Sequence, residues 1–327
     1  MRTLAIDTQR FKIAGEGFAI SRGRRTHAEV LKVTLTENGK TGQGECVPYA
    51  RYGESMDSVA EQIKSAQTAL EGGLTRQNLQ DHLPAGAARN AVDSALWDLE
   101  AKLSGKTAAE LAGLAPLKPV TTAFTLSVNT PEKMAQAAAE AAHRPLLKVK
   151  LCGDGDDERI AAVRANAPRS RLIVDANEAW NSGNFDRNMD ACERAGVALI
   201  EQPLPADNDG LLAEMERNVT ICADESLHPG EDMAVLRDRY DAVNIKLDKS
   251  GGLTEALKML QRARDLEFQV MIGCMLGTSL AMAPAFLIAQ SADFVDLDGP
   301  LLLAEDRTPP IRFEGSTMFP PPPALWG

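Results

Sequence analysis

From residue 120 onward, short runs of Val, Ile and Leu recur, each closed by a charged or small polar residue. They are LLKVKL (146–151), RLIVDAN (171–177), VALIEQP (197–203), TICADES (220–226), AVNIKLD (242–248), QVMIGCM (269–275) and FVDLDGP (294–300). VTTAFTLSV (120–128) precedes them as a further strand candidate, followed by a helix with Thr130 as N-cap and Pro131 at its first position. Unbroken apolar runs are the mark of strands buried on both faces, as in a parallel sheet. Their spacing of roughly 22–27 residues leaves room for one strand, one helix and two loops. The eight runs predict a closed α/β structure, a (β/α)7β TIM-like barrel, rather than an open sheet. Polar residues ending several different strands meet only at the C-terminal mouth of a barrel, whereas in an open sheet the outer ones would lie far apart.

The first part of the chain lacks this period. VLKVTLTEN (30–38) and KTGQGEC (40–46) flank Asn38-Gly39, a hairpin signal. Two helices are predicted next. The first starts near Ser55 or Ser58, where Ser58 and Glu61 make an S-x-x-E capping pattern, and carries Val59, Ile63, Ala66 and Leu70 as its stripe up to Gly72-Gly73. The second covers roughly 87–104, with Val92, Ala95, Leu96, Leu99 and Leu103 on one face and Trp97 in the core. The predicted division is an N-terminal α+β capping domain (1–117), the barrel (118–300), and a tail (301–327) whose FPPPPALW stretch packs back on the capping domain.

Composition removes several functional classes. The 327 residues are 44% hydrophobic and 25% charged, with a net charge of −11. The acidic balance argues against nucleic acid or an anionic membrane as partner. No eighteen-residue apolar run and no signal-peptide core is visible, so the expectation is a cytoplasmic protein. Cys46, Cys152, Cys192, Cys222 and Cys274 have no paired spacing and read as small buried hydrophobes, and the four histidines read as surface residues.

Candidate chemistry sits at the strand ends. Asp175, Glu201 and Asp224 close three consecutive strands. Three carboxylates gathered without partners would repel one another, and an all-oxygen set without histidine suits a hard cation such as Mg²⁺. The alternative for each is a helix cap or an ion pair. Lys148 and Lys150, two apart on one strand, share a face, and two neighbouring ammonium groups are expected to push a lysine pKa down toward the range a base needs. Lys246 would approach from four strands further round. Asp296 and Asp298 suit an ammonium group, or else cap the turn into Gly299-Pro300. Arg22, Arg24 and Arg25 in SRGRRTH, with Arg51 and Tyr52, are candidates for contact with a second part of a ligand. Gly251-Gly252 reads as a tight turn rather than a phosphate cradle.

The motifs KVK, DAN, EQP, ADES, NIKLDKSGG and DLDGP, with GECVPYARYGES (44–55) and GAARNAVDSALWDLEAK (86–102), run through nearly the whole chain. Together they resemble the enolase superfamily, its muconate-lactonizing subgroup, and within that the dipeptide epimerases of the L-Ala-D/L-Glu type. The resemblance implies that Asp175, Glu201 and Asp224 bind one Mg²⁺. It makes Lys150 and Lys246 the acid/base pair, with Lys148 tuning Lys150 and Lys249 supporting. Asp296 and Asp298 would hold the dipeptide's ammonium, with Arg22, Arg24, Arg25 and Tyr52 toward its second residue. The implied reaction interconverts L-Ala-L-Glu and L-Ala-D-Glu by 1,1-proton transfer through an enediolate, in murein peptide recycling, in a chain that commonly forms homo-oligomers. A cycloisomerase or lyase of the same subgroup, an epimerase of other dipeptides, or a metal-dependent binding protein are the other readings.

Overall fold

A computed structural model describes residues 1–15, 17–230 and 232–327. The antiparallel ladder that opens the chain consists of β1 (Thr3–Lys12) and, beyond the short pair β2 (Phe18–Ile20) and β3 (Gly23–Arg25), β4 (His27–Glu37) and β5 (Lys40–Cys46), in the order β1-β4-β5. Asn38 and Gly39 have φ of 50° and 73°, the left-handed pair that a two-residue hairpin turn requires. Helices α1 (Met56–Ser65) and α2 (Gln67–Glu71) break the expected first helix at Ala66, and α3 (Arg76–His82) follows. The cap is Ser55, whose Oγ accepts from the Ser58 amide at 3.1 Å while Ser58 Oγ accepts from Ser55 N at 2.9 Å, so Glu61 takes no part. α3 has no signal in the sequence pattern, because seven residues with Leu79 alone buried carry no periodic stripe.

The second predicted helix is α4 (Ala87–Ser104), followed by α5 (Ala108–Leu111). Nearly every residue of α4 from Ala87 to Leu99 is buried, since one side meets β4 and β5 and the other meets the barrel. Leu103, placed on its apolar face from sequence, is 40% exposed at the helix end. Packing this close needs glycine. A Cβ on Gly42 or Gly44 would lie within 2.2 and 2.1 Å of backbone oxygens of α4, and one on Gly251 or Gly252 would strike Arg89 or Asp93. Gly251-Gly252 is thus the tight turn expected, with φ of 79° and 111°, and also the place where barrel and α4 touch.

The VTTAFTLSV run is divided between two sheets. β6 (Val120–Thr121) pairs with the tail, and only β7 (Phe124–Leu126) enters the barrel. There follow α6 (Pro131–Ala141), β8 (Leu146–Lys150), α7 (Asp156–Asn166), β9 (Arg171–Asp175), α8 (Phe185–Arg194), β10 (Val197–Glu201), β11 (Ile221–Ala223), β12 (Ala242–Lys246), α9 (Leu247–Ser250), α10 (Leu253–Asp265), β13 (Gln269–Gly273), α11 (Ser279–Ala289) and β14 (Phe294–Val295). Thr130 caps α6 as expected, its Oγ1 accepting from Lys133 N at 3.4 Å. The eight strands run parallel in sequence order, and Ala123 N donates to Val295 O at 2.8 Å, joining the last strand to the first. Among the described residues, the segments after β10 and β11 hold only 3-10 turns, at Gly210–Ala213 and Met233–Leu236, where the repeat predicted full helices. Inside the barrel, Ile173, Leu199, Cys222, Ala242, Met271 and Phe294 close the end away from the mouth.

The tail adds β15 (Phe313–Glu314) and β16 (Thr317–Met318), which form a small sheet with β6. Its end returns to α4, where Trp326 Nε1 donates to Ser94 O at 2.9 Å and Gly327 N to Asp98 Oδ1 at 2.7 Å. Trp97 is buried as expected. Of the cysteines, Cys46, Cys192 and Cys222 are buried, but Cys152 and Cys274 are half-buried, and all five are unpaired. Among the described residues, no helix is long and apolar enough to cross a membrane.

One interdomain contact carries a pH-dependent stability. Asp248, just past β12, accepts from Val47 N at 3.1 Å and Asn90 Nδ2 at 2.8 Å. Burial, with Glu54 and Glu45 nearby, pushes its carboxyl up to about 7. This lies above the unfolded value of about 3.9, so the native state binds the extra proton. The resulting stability is present below about pH 4 and lost as pH rises through about 7, on the order of a few kcal/mol. Asp248→Asn is expected to flatten the fall in thermal midpoint between about pH 5 and pH 8. An unchanged slope in calorimetric melts would contradict this account.

Candidate active site

The barrel mouth and the β2–β3 hairpin enclose a cavity of about 480 Å³. Eleven of the candidate site residues line it: Lys148 and Lys150, Asp224 and Lys246, Asp296 and Asp298, Arg22, Arg24 and Arg25 on the hairpin, and Arg51 and Tyr52. Asp175 and Glu201 do not line it. Both are completely buried beneath the lysines.

Strand register explains the grouping. Lys150 sits opposite Asp175 across β8 and β9, and Asp175 opposite Glu201 across β9 and β10, so one pleat level carries all three. Lys150 Nζ donates to Asp175 Oδ2 at 2.6 Å. Lys148 Nζ, one pleat below, reaches Asp296 Oδ2 at 2.6 Å, Glu201 Oε2 at 2.6 Å and Asp175 Oδ2 at 3.2 Å. Across the barrel, Lys246 Nζ lies 2.5 Å from Asp224 Oδ2 and 3.5 Å from Glu201 Oε1. Lys249 Nζ bonds Asp224 Oδ1 at 2.6 Å and the Asp224 carbonyl. It lies outside the cavity lining and braces Asp224, the supporting place expected of it.

This pattern corrects two expectations. The three carboxylates do not face one another without partners, since an ammonium group stands beside each. Among the described residues, no three His, Cys, Asp or Glu side chains stand grouped as a ready-made metal cage. Nor is Lys148 depressed by its neighbour. Burial lowers its pKa, but Asp296, Glu201 and Asp175 outweigh burial and hold it well above the ordinary lysine value. Lys246 is raised in the same way, chiefly by Asp224 and Glu201 against burial. Asp175 and Asp224 are lowered by lysines against their own burial, whereas burial and Asp175 push Glu201 up. Glu201 Oε2 stands 2.6 Å from Lys148 Nζ as an ion pair, and this buried oxygen accepts no well-aligned hydrogen bond. An all-oxygen, fully buried set on three consecutive strands, with one oxygen short of a donor, still fits a hard divalent cation.

Asp296 and Asp298 lie just beyond β14 rather than within a strand. Asp296 Oδ1 is buried without a hydrogen bond, and Asp298 Oδ2 accepts from Thr125 N at 2.6 Å. Burial and Asp296 push the Asp298 carboxyl up to about 7.

Arg22 is committed to protein partners, which sequence did not indicate. It bonds Glu225 Oε1 at 2.8 Å, Glu178 Oε2 at 3.2 Å, the Asn177 carbonyl at 3.1 Å and Tyr49 OH at 3.3 Å. Arg51 takes both oxygens of Glu178 at 2.8 Å. The Arg25 guanidinium stands 5.3 Å from the Tyr49 ring centroid. Glu178, Glu225 and Gln202 escaped the sequence reading, although each follows a singled-out carboxylate within three residues. Asn177, Glu178 and Gln202 have φ of 45°, 69° and 37°, an unusual backbone that the residue types at Glu178 and Gln202 do not announce.

Comparison with known proteins covers both domains. The model for the mandelate racemase / muconate lactonizing enzyme N-terminal domain matches residues 2–113, and the enolase C-terminal domain-like model matches residues 132–322. The chain is 47% identical to the L-Ala-D/L-Glu epimerase of Escherichia coli (strain K12), over 90% of this chain and 93% of that protein. It is 42% identical to an N-acetyl-D-glutamate racemase of Pseudoalteromonas sp, over 91% and 95%. A crystal structure of an enolase family member from Agrobacterium tumefaciens with homology to dipeptide epimerases, with sodium and L-Ala-L-Glu bound, superimposes with a TM-score of 0.98. It is 56% identical, covering all of both chains.

Proposed function

This chain belongs to the mandelate racemase / muconate lactonizing enzyme family of the enolase superfamily, and from that premise we propose that it epimerises dipeptides, interconverting L-Ala-L-Glu and L-Ala-D-Glu. The observation that carries the reading is the placement of Lys150 and Lys246. They end strands four apart in an eight-stranded barrel, so they face each other across one cavity. A carbon held between them can lose a proton to one side and gain one from the other, which inverts it. A hydrolase or a simple binding site has no need of bases on both faces.

The remaining roles follow the geometry. Asp175, Glu201 and Asp224 would hold Mg²⁺. When bound, the ion competes with the ammonium groups for these carboxylates and counters the charge that grows on a substrate carboxylate as its α-proton leaves. Lys148 holds Asp296 and underlies Lys150. Asp296 and Asp298 receive the dipeptide's ammonium, an assignment supported by the unpartnered Oδ1 of Asp296. Arg22, Arg24 and Arg25 on the hairpin line the cavity and offer cations for the glutamate side chain, and Tyr52 closes the cavity beside Lys246. Five unpaired cysteines suit a reducing cytoplasm, where murein peptides would be recycled.

Racemisation of N-acyl glutamates is a second reading. A dipeptide ending in glutamate is itself an N-acyl glutamate, and Asp296 keeps an ammonium partner, Lys148 at 2.6 Å, when the substrate has none. Proton NMR in D₂O with Mg²⁺ separates the readings. With L-Ala-L-Glu, the glutamate α-proton signal is expected to disappear as the L,D isomer accumulates, whereas N-acetyl-L-glutamate is expected to exchange more slowly. Exchange of neither would sink the epimerase reading, and faster exchange of N-acetyl-glutamate would replace it with the second.

A further inference from the structure

Two of the three proposed cation ligands, Glu201 and Asp224, stand at the ends of β10 and β11, strands joined by a short ladder. The β10–β11 ladder has only two register pairs, Ile200↔Ile221 and Glu201↔Cys222, and β11 is three residues long. Among the described residues, only 3-10 turns follow these two strands. Regular main-chain pairing thus stops before Asp224.

A side chain takes over where the ladder ends. Gln202 Oε1 accepts from Asp224 N at 2.9 Å and Ser226 N at 3.0 Å. Its Nε2 faces Leu204 O at 2.9 Å, Ser226 Oγ at 2.8 Å and Tyr240 OH at 2.9 Å. Behind it, Ser226 Oγ and Tyr240 OH each donate to Asp209 Oδ2 at 2.7 Å, and Asp209 is paired with Arg239. Gln202 and Tyr240 are completely buried. The amide fits this slot because it offers an acceptor on one side and donors on the other. A carboxylate would leave the Leu204 carbonyl facing an acceptor. Gln202 also has a φ of 37°, a conformation that a non-glycine residue keeps only where its surroundings over-determine it.

We propose that Gln202 is a positioning residue that sets Asp224 at its distance from Glu201, and so sets the affinity of the site for a divalent cation. This rests on the assignment of Glu201 and Asp224 as cation ligands. The amide bridges the two strand ends by hydrogen bonds to backbone N–H groups, so the main chain carrying Asp224 is fixed before any cation arrives.

Mn²⁺ binding followed by electron paramagnetic resonance tests this without turnover. Gln202→Met keeps the volume and removes both sets of bonds. It is expected to weaken Mn²⁺ binding by about 10–100-fold, the usual effect of losing an outer partner of a metal ligand. Tyr240→Phe, which removes one hydroxyl behind the amide, is expected to give a smaller loss in the same direction. Circular dichroism melts without metal establish that each variant is folded. A folded Gln202→Met with wild-type affinity overturns the proposal. If that variant does not fold, Tyr240→Phe decides, with a several-fold loss in support and unchanged affinity against. Asp224→Asn is the control for the underlying assignment. If it too binds Mn²⁺ normally, the ligand assignment has failed rather than the role of Gln202.

Discussion

Lys246→Met is expected to lower epimerisation by about 10²–10⁴-fold while leaving proton exchange intact for one of the two epimers. The size of the loss is that of one positioned acid/base group, about 3–5 kcal/mol of barrier. Selectivity follows from the opposed placement of the lysines. With Lys246 gone, Lys150 can still take and return a proton on its own side, so one epimer exchanges its α-proton for deuterium without inverting. Lys150→Met is expected to give the mirror result with the other epimer. Neither change strands a buried charge, because Asp224 keeps Lys249 at 2.6 Å and Asp175 keeps Lys148 at 3.2 Å. The variants should therefore fold, and the loss belongs to chemistry. Exchange of both epimers at the wild-type rate in either variant would rule out the two-base arrangement.

A second large effect is expected at Glu201. Enzymatic accelerations amount to roughly 8–23 kcal/mol, and a single base supplies only a few of these, so most of the stabilisation must come from fixed charge at the substrate carboxylate. Glu201→Gln keeps the bond from Asn244 Nδ2, 2.8 Å from Oε1 at present, but replaces the oxygen that lacks a hydrogen bond with an amide nitrogen. Turnover is expected to fall by at least about 10³-fold, the upper range for loss of one preorganised electrostatic contact. A calorimetric readout accompanies it. Mg²⁺ at about a hundred times its dissociation constant stabilises a native protein by about 2.7 kcal/mol, so the wild type should melt higher with Mg²⁺. The variant should show little of that shift. Full Mg²⁺ stabilisation of Glu201→Gln would remove Glu201 from the ligand set.

These expectations draw on features that differ in how far they could be read beforehand. The barrel was legible because a strand buried on both faces must be apolar throughout, which leaves its polar end residue conspicuous. Lys150, Asp175, Glu201, Asp224 and Lys246 stood out in this way, and each is a strand end or its immediate successor. Asn38-Gly39 was legible for a related reason, since few residue pairs tolerate its backbone. Helix α3 and the split of VTTAFTLSV between β6 and β7 were not, because both depend on distant partners. The first is set by packing around Leu79, the second by β16 and Val295.

By itself, the sequence determined the barrel repeat, the hairpin turn, the α4 core and the set of ionisable groups at the mouth, because periodicity and backbone tolerance act over a few neighbouring residues. Only the tertiary structure decided how those charges pair. It interleaved lysines with carboxylates, raising Lys148 where adjacency to Lys150 had suggested lowering, because Asp296, Glu201 and Asp175 reach it from three other strands' ends. It also committed Arg22 to Glu225 and Glu178, more than a hundred and fifty residues away, and set Gln202 beneath Asp224. Coulomb energies and hydrogen bonds depend on separation in space, and that separation is fixed only when the barrel closes.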